Sequence, residues 1–85
     1  MNTSAEATKQ LQQALVSTRE AAKIIENLIV AHDYQDVAGL VAQAAAELLE
    51  TAAALMQSQD EPALTHLEQA DDLLDAVWDI IDAET

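Results

Sequence analysis

Residues 37–56 read VAGLVAQAAAELLETAAALM, and this stretch decides the fold. Eight of its twenty residues are alanine, and alanine and leucine are among the strongest helix formers. We therefore predict a helix over residues 34–57. Its apolar residues, which include Val37, Ala44, Leu48 and Leu55, cover a wider arc than the roughly 100° of an ordinary surface helix. Such an arc predicts packing on more than one side.

The segments on both sides of this helix carry apolar residues at alternating spacings of three and four, the pattern of one helix face. We predict a first helix over residues 5–32 and a third over residues 62–83. The chain has one glycine and one proline, so it contains few of the residues that favour turns and separate strands. Because the polar connections are short, the predicted fold is all-α, an antiparallel three-helix bundle in a single domain spanning residues 1–85.

The helix boundaries are predicted from capping residues. Asp33 lies in a polar cluster and is the expected N-cap of the second helix. Gly39 is the competing break, and one continuous helix through both positions is a further alternative. Pro62 fits the first turn of the third helix, with Asp60 or Glu61 as its cap.

The charge of the chain is strongly acidic and unevenly placed. Three basic residues face sixteen acidic ones, for a formal net charge of -13, and residues 33–85 hold thirteen acids and no lysine or arginine. Such a chain is repelled by phosphate groups, so we expect neither nucleic acid nor membrane as a direct partner. No signal peptide or uninterrupted apolar span is recognisable, and cysteine is absent, which leads us to expect a cytoplasmic protein.

Familiar helical sites have no counterpart in the sequence. Acyl carrier proteins have a similar size and acidity, but they need an Asp-Ser-Leu setting that none of the three serines occupies. A di-iron bundle needs Glu-x-x-His pairs, whereas Ile29 and Ala63 stand three residues before His32 and His66. We expect His32 to end the first helix and His66 to face solvent. We predict no catalytic residues, no cofactor and no metal site.

The wide apolar arc of the second helix predicts an interaction surface. Two short partner helices leave part of it uncovered, and small domains are commonly stabilised by oligomerisation. We therefore predict a homodimer, or contact with another protein, through an apolar face made of Ala38, Val41, Ala45, Leu49, Ala52, Met56 and Trp78. Trp78 has two interpretations, an interface anchor or a residue at the edge of the core. Its position beside Val77 favours the core.

The third helix carries a second candidate surface. Its carboxylates recur at spacings of four and three and form an acidic stripe made of Glu68, Asp72, Asp75, Asp79 and Asp82. A charge run of this kind is typical of a solvated helix back, but it also resembles the phosphates of DNA and attracts basic proteins. The favoured function is a small interaction or regulatory protein of a bacterium or phage. The alternative is a DNA-mimic inhibitor that blocks a basic, nucleic-acid-binding surface of a target protein.

Overall fold

The computed structural model describes residues 4–28 and 34–84, which form helices and short turns. Helix α1 runs over Ser4–Glu26, α2 over Gln35–Met56 and α3 over Asp60–Glu84. The described residues contain no β-strand, so the predicted all-α class with three helices is confirmed. Helices α2 and α3 begin and end within two residues of their predicted bounds.

The first helix ends earlier than predicted. The side-chain amide of Asn27 donates to the Lys23 carbonyl at 2.8 Å, and the backbone N–H of Leu28 donates to the Ile25 carbonyl. The backbone hydrogen bonds thus change at Leu28 from the fourth preceding carbonyl to the third, as in the tightened last turn of a helix. The prediction that this helix extends to residue 32 is therefore wrong, as is the alternative of one continuous helix. His32 itself lies outside the described residues.

The second helix begins at Gln35 without a side-chain cap. Tyr34 occupies the N-cap position with a φ of 68°, and the Ala38 N–H donates to its carbonyl at 2.9 Å. The prediction of Asp33 as the N-cap is therefore wrong, and Asp33 itself lies outside the described residues. The Gln35 side chain ties α2 to α1 instead, because its Nε2 donates to the Ile25 carbonyl at 3.0 Å.

Gly39 lies inside α2 and is buried, so the alternative break at this residue is wrong. Its φ is not positive, and an added Cβ would meet Glu26 Cγ at 3.6 Å, an ordinary contact. We expect Gly39→Ala to raise the free energy of unfolding by about 0.5 to 1 kcal/mol, because alanine is the better helix former. Urea denaturation followed by circular dichroism measures the difference. A less stable variant would show that α1 has no room to accept the methyl group.

The turn between α2 and α3 is closed by backbone hydrogen bonds. Ser58 has a φ of 58°, and the Gln59 N–H donates to the Ala54 carbonyl at 2.9 Å, as in a Schellman motif. The Gln59 carbonyl accepts the first helical hydrogen bond of α3, so Gln59 is the N-cap. Asp60 and Glu61, the predicted caps, lie in the first turn instead, where their charges still suit the helix dipole.

Helix α2 lies between the other two. It packs against both α1 and α3, whereas the described residues of α1 and α3 do not pack on each other. The molecule measures 44 × 26 × 18 Å, and its radius of gyration is 14.7 Å, against about 12 Å for a compact domain of this length. The three helices therefore form an open layer, in which α2 has two sides that neither neighbour fully covers.

The core of this layer is made mostly of small residues. Its buried apolar positions are Leu15, Ala22, Val37, Ala44, Ala46, Ala53, Ala54, Ala63, Ala70 and Val77. Seven of these ten are alanine, and among residues 4–28 and 34–84 no large side chain is fully buried. The buried apolar residues of α3 recur at every seventh position, which gives a narrow seam against α2. Because burying alanine removes little apolar area from water, the core of one chain contributes little stability.

Candidate functional site

One side of α2 carries an apolar stripe that α1 and α3 leave at least partly exposed. Small and larger residues alternate along it at spacings of three and four, in the order Ala38, Val41, Ala45, Leu48, Ala52 and Leu55. All six are exposed or half-buried, and we call this stripe the open face. Its spacing is the heptad pattern of helix packing seams, and its alanines allow the axis of a second helix to approach closely.

Helix α3 flanks the open face with further apolar side chains. Leu64 and Leu67 line a groove of about 280 Å³ together with Leu55, and Leu64 is 59% exposed. Trp78 follows Leu67 by eleven residues, or about three helical turns, so the two lie on the same side of α3. Trp78 is 65% exposed, and the favoured prediction of a core position is wrong. Its neighbour Val77 occupies the seam, which turns Trp78 about 100° away from α2.

The other predicted interaction residues belong to the open face or adjoin it. Ala38, Val41, Ala45 and Ala52 are members, whereas Leu49 is half-buried beside it and Met56 is exposed at its end. The structure adds Leu48 and Leu55 to this surface. The spacing of apolar residues in the sequence does not distinguish Leu48 and Leu55 from the buried residues of the same helix, because their exposure depends on where α3 packs. That these residues contact a partner stays a prediction.

The surface area of the chain is large for its mass. The accessible surface is 6022 Å², whereas a folded monomer of 9.1 kDa has about 4,900 Å². The excess of about 1,100 Å² includes polar and apolar surface, and it agrees with an open layer of three helices in which the described residues of α1 and α3 do not pack on each other.

The acidic stripe runs along the side of α3 that faces away from α2. Its five carboxylates are all exposed, at positions Glu68, Asp72, Asp75, Asp79 and Asp82. The buried seam of α3 consists of Ala63, Ala70 and Val77. The stripe lies opposite this seam, because the two sets of residues are offset by about half a turn around α3. Exposed carboxylates are equally expected on the solvated back of an amphipathic helix. Their position therefore favours neither interpretation of the stripe.

A charged cluster joins the three helices on the side of α2 opposite the open face. His66 Nδ1 lies 2.7 Å from Glu47 Oε2 and 2.9 Å from Glu50 Oε2. Arg19 of α1 contacts the other oxygen of Glu50, with Nη2 3.0 Å from Oε1. Glu47 lies nine residues after Ala38 of the open face, and Glu50 lies nine residues after Val41. Nine residues are two and a half helical turns, so both glutamates lie about 180° around α2 from the open face.

The prediction that His66 faces solvent is wrong, because its side chain is half-buried against both glutamates of the cluster. No short sequence motif predicts this contact, because nineteen positions separate His66 from Glu47. The Arg19 and Glu50 side chains remain 47% and 24% exposed, so water screens their ion pair. Pairs of this kind contribute at most about 1 kcal/mol each. The cluster therefore positions α1 and α3 on α2 more than it stabilises the fold.

Helix α2 is long and apolar enough to cross a membrane, judged by length and composition alone, and it is the one such helix in the described part of the chain. This is weak evidence, because the central helix of a helical bundle meets the same criterion. Every window of eighteen residues within α2 contains Glu47 and Glu50, whose charges are costly in a lipid interior.

No protein family model matches the sequence, and comparisons with curated proteins and with solved structures give no significant match.

Proposed function

We propose that this chain is a small, non-catalytic interaction protein that forms a homodimer through the open face. The observation that carries the proposal is the apolar stripe of α2 in which Val41, Leu48 and Leu55 are 46%, 44% and 58% exposed. In a two-fold symmetric dimer, the open face of each copy packs against the open face of the other, so the same residues are buried in both copies. The expected setting is the cytoplasm of a bacterium, in which the protein belongs to the bacterium or to a phage.

The helices of each copy pack antiparallel in this proposal. Two contacts support the direction for α1 and α2: Arg19 meets Glu50, whereas Gln43 Nε2 donates to Glu26. The later residue of α1 therefore contacts the earlier residue of α2, as expected for two helices that run in opposite directions. The short turn at Ser58 reverses the chain between α2 and α3 in the same way.

The sequence of the open face supports a helical partner of the same kind. Ala38, Ala45 and Ala52 recur at seven-residue intervals, with a larger aliphatic residue between each pair. When two such stripes pack, the larger side chains of one copy fit against the alanines of the other. No charged residue belongs to the open face, so the net charge of -13 on each copy does not place like charges directly against each other there.

Fluorescence of Trp78, the only tryptophan, tests this proposal. Trp78 flanks the open face and is exposed in one copy, so dimerisation is expected to bury part of its ring. Emission should shift to longer wavelength, and quenching by acrylamide should increase, as the protein is diluted from high to low micromolar concentration. Emission and quenching that stay constant over this range, with a fully exposed indole throughout, would contradict the proposal.

The DNA-mimic alternative depends on the acidic stripe rather than the open face. Replacing Asp72, Asp75 and Asp79 together by asparagine removes three exposed charges from each copy and leaves the open face intact. We expect the triple variant to dimerise as well as the parent or slightly better, because repulsion between the copies falls. Loss of the dimer in this variant would show that the stripe, and not the apolar surface, holds the copies together.

A further inference from the structure

Glu47, Glu50 and His66 bring three potential metal ligands together from two helices. The glutamates are one turn apart on α2, and His66 of α3 directs Nδ1 at one oxygen of each. The three donor atoms all lie within 4.8 Å of one another. Because His66 is sixteen positions from Glu50 along the chain, no sequence motif predicts that it meets the two glutamates.

The donor spacing fits a coordination shell. Zinc binds nitrogen and oxygen ligands at about 2.0 to 2.2 Å, so neighbouring ligands in tetrahedral or octahedral geometry are about 2.9 to 3.5 Å apart. The His66 nitrogen lies 2.7 and 2.9 Å from its two carboxylate oxygens. These two distances lie at or slightly below that range, so a metal ion bound between the donors would move them slightly apart and replace the hydrogen bonds between them.

The donor types select the class of metal. One imidazole nitrogen with two carboxylate oxygens suits a borderline divalent ion, whereas Mg²⁺ and Ca²⁺ prefer oxygen ligands alone. We propose that Glu47, Glu50 and His66 form a three-ligand Zn²⁺ site that clamps α3 onto α2. Three protein ligands leave at least one coordination position for water.

The surroundings of the cluster suit such a site. A pocket of about 160 Å³ opens beside Glu50 and His66, with Gln12 and Gln59 among its other lining residues, and provides room for water ligands. Arg19 holds Oε1 of Glu50 and leaves Oε2 directed at His66. Partners of this kind, bonded to a ligand rather than to the metal, fix the orientation of the ligand.

Zinc titration of the full chain tests the site. We compare the parent with two variants that each remove one proposed ligand, Glu47→Gln and His66→Gln. Glu68→Gln is the control for Glu47→Gln, because it removes one negative charge from the exposed acidic stripe instead of the cluster. Affinity is measured by competition with a chromophoric chelator, and melting temperature by circular dichroism. Mg²⁺ at equal concentration controls for screening, because any divalent cation reduces repulsion in a chain of net charge -13.

We expect Zn²⁺ to raise the melting temperature of the parent more than Mg²⁺ does, with saturation at one ion per chain. Glu47→Gln and His66→Gln should each weaken zinc binding at least about tenfold, and Glu68→Gln less than twofold. Equal losses in all three variants, or equal effects of the two cations on the parent, would overturn the proposal and leave a charged contact between helices.

A second measurement does not depend on the variants folding. The chain has two histidines, so NMR of the imidazole protons in the parent follows each separately. Substoichiometric Zn²⁺ should shift or broaden the His66 ring signals before those of His32. Equal perturbation of both rings would contradict the site. Because the cluster and the open face lie on opposite sides of α2, these results do not depend on dimerisation.

Discussion

Leu48→Glu is expected to separate the proposed dimer into folded monomers. Leu48 lies in the middle of the open face and is 44% exposed in one copy, so a glutamate there costs the isolated chain little. In the symmetric dimer the charge is buried twice without a partner. We expect the dissociation constant to rise more than 100-fold, which corresponds to about 3 kcal/mol. Size-exclusion chromatography with light scattering measures the mass, and circular dichroism measures the helix content.

Ile24→Glu is the matched control for this substitution. Ile24 is 68% exposed on α1 and lies about 200° around that helix from Ala22, which packs in the core. The change from an exposed aliphatic residue to a glutamate is therefore of the same type, but it lies outside the proposed interface. Dissociation by Ile24→Glu, or a dimer that survives Leu48→Glu, would place the interface elsewhere.

Ala70→Leu is expected to destabilise the fold itself. Ala70 is 0% exposed in the seam between α2 and α3, so three additional carbon atoms at this position have to fit inside the helix contact. Overpacking of this kind costs about 1 to 3 kcal/mol, a large share of the roughly 5 to 15 kcal/mol that stabilises a small protein. Urea denaturation should show a lower midpoint together with a concentration-dependent transition, since unfolding and dissociation are coupled.

Ala83→Leu adds the same three carbon atoms to the same helix at an exposed position. We expect its free energy of unfolding to stay within about 0.5 kcal/mol of the parent, as for most surface substitutions. A parent-like stability for Ala70→Leu would mean that α3 can move away from α2 at little cost. In that case the narrow alanine seam would not determine how the layer is packed.

Local sequence features predict the helices well, because helix propensity and apolar spacing act within a few turns. The all-α class and the bounds of α2 and α3 follow from alanine, leucine and the scarcity of turn residues. The end of α1 does not follow, since the apolar spacing continues past Glu26 whereas the Leu28 N–H already bonds to the third preceding carbonyl rather than the fourth. The αL conformations of Tyr34 and Ser58 are also unexpected for residues that carry a Cβ.

The surfaces are harder to predict, because they depend on how the helices are placed. Apolar spacing identifies Ala38, Val41 and Ala45 as members of an apolar arc, but it does not show which part of that arc α3 leaves open. Trp78 looks like a core residue for the same reason and is exposed. The contact of His66 with two glutamates of α2 depends on the register between two helices, which no local pattern in one sequence specifies.

Sedimentation equilibrium of the parent chain over a series of concentrations tests the central claim most directly, because it measures mass without reference to shape. A homodimer through the open face predicts a mass of about 18 kDa at high micromolar concentration, twice the 9.1 kDa of the chain, and a decrease toward the monomer on dilution. A mass of 9.1 kDa at every concentration, with the helices intact, would contradict the account.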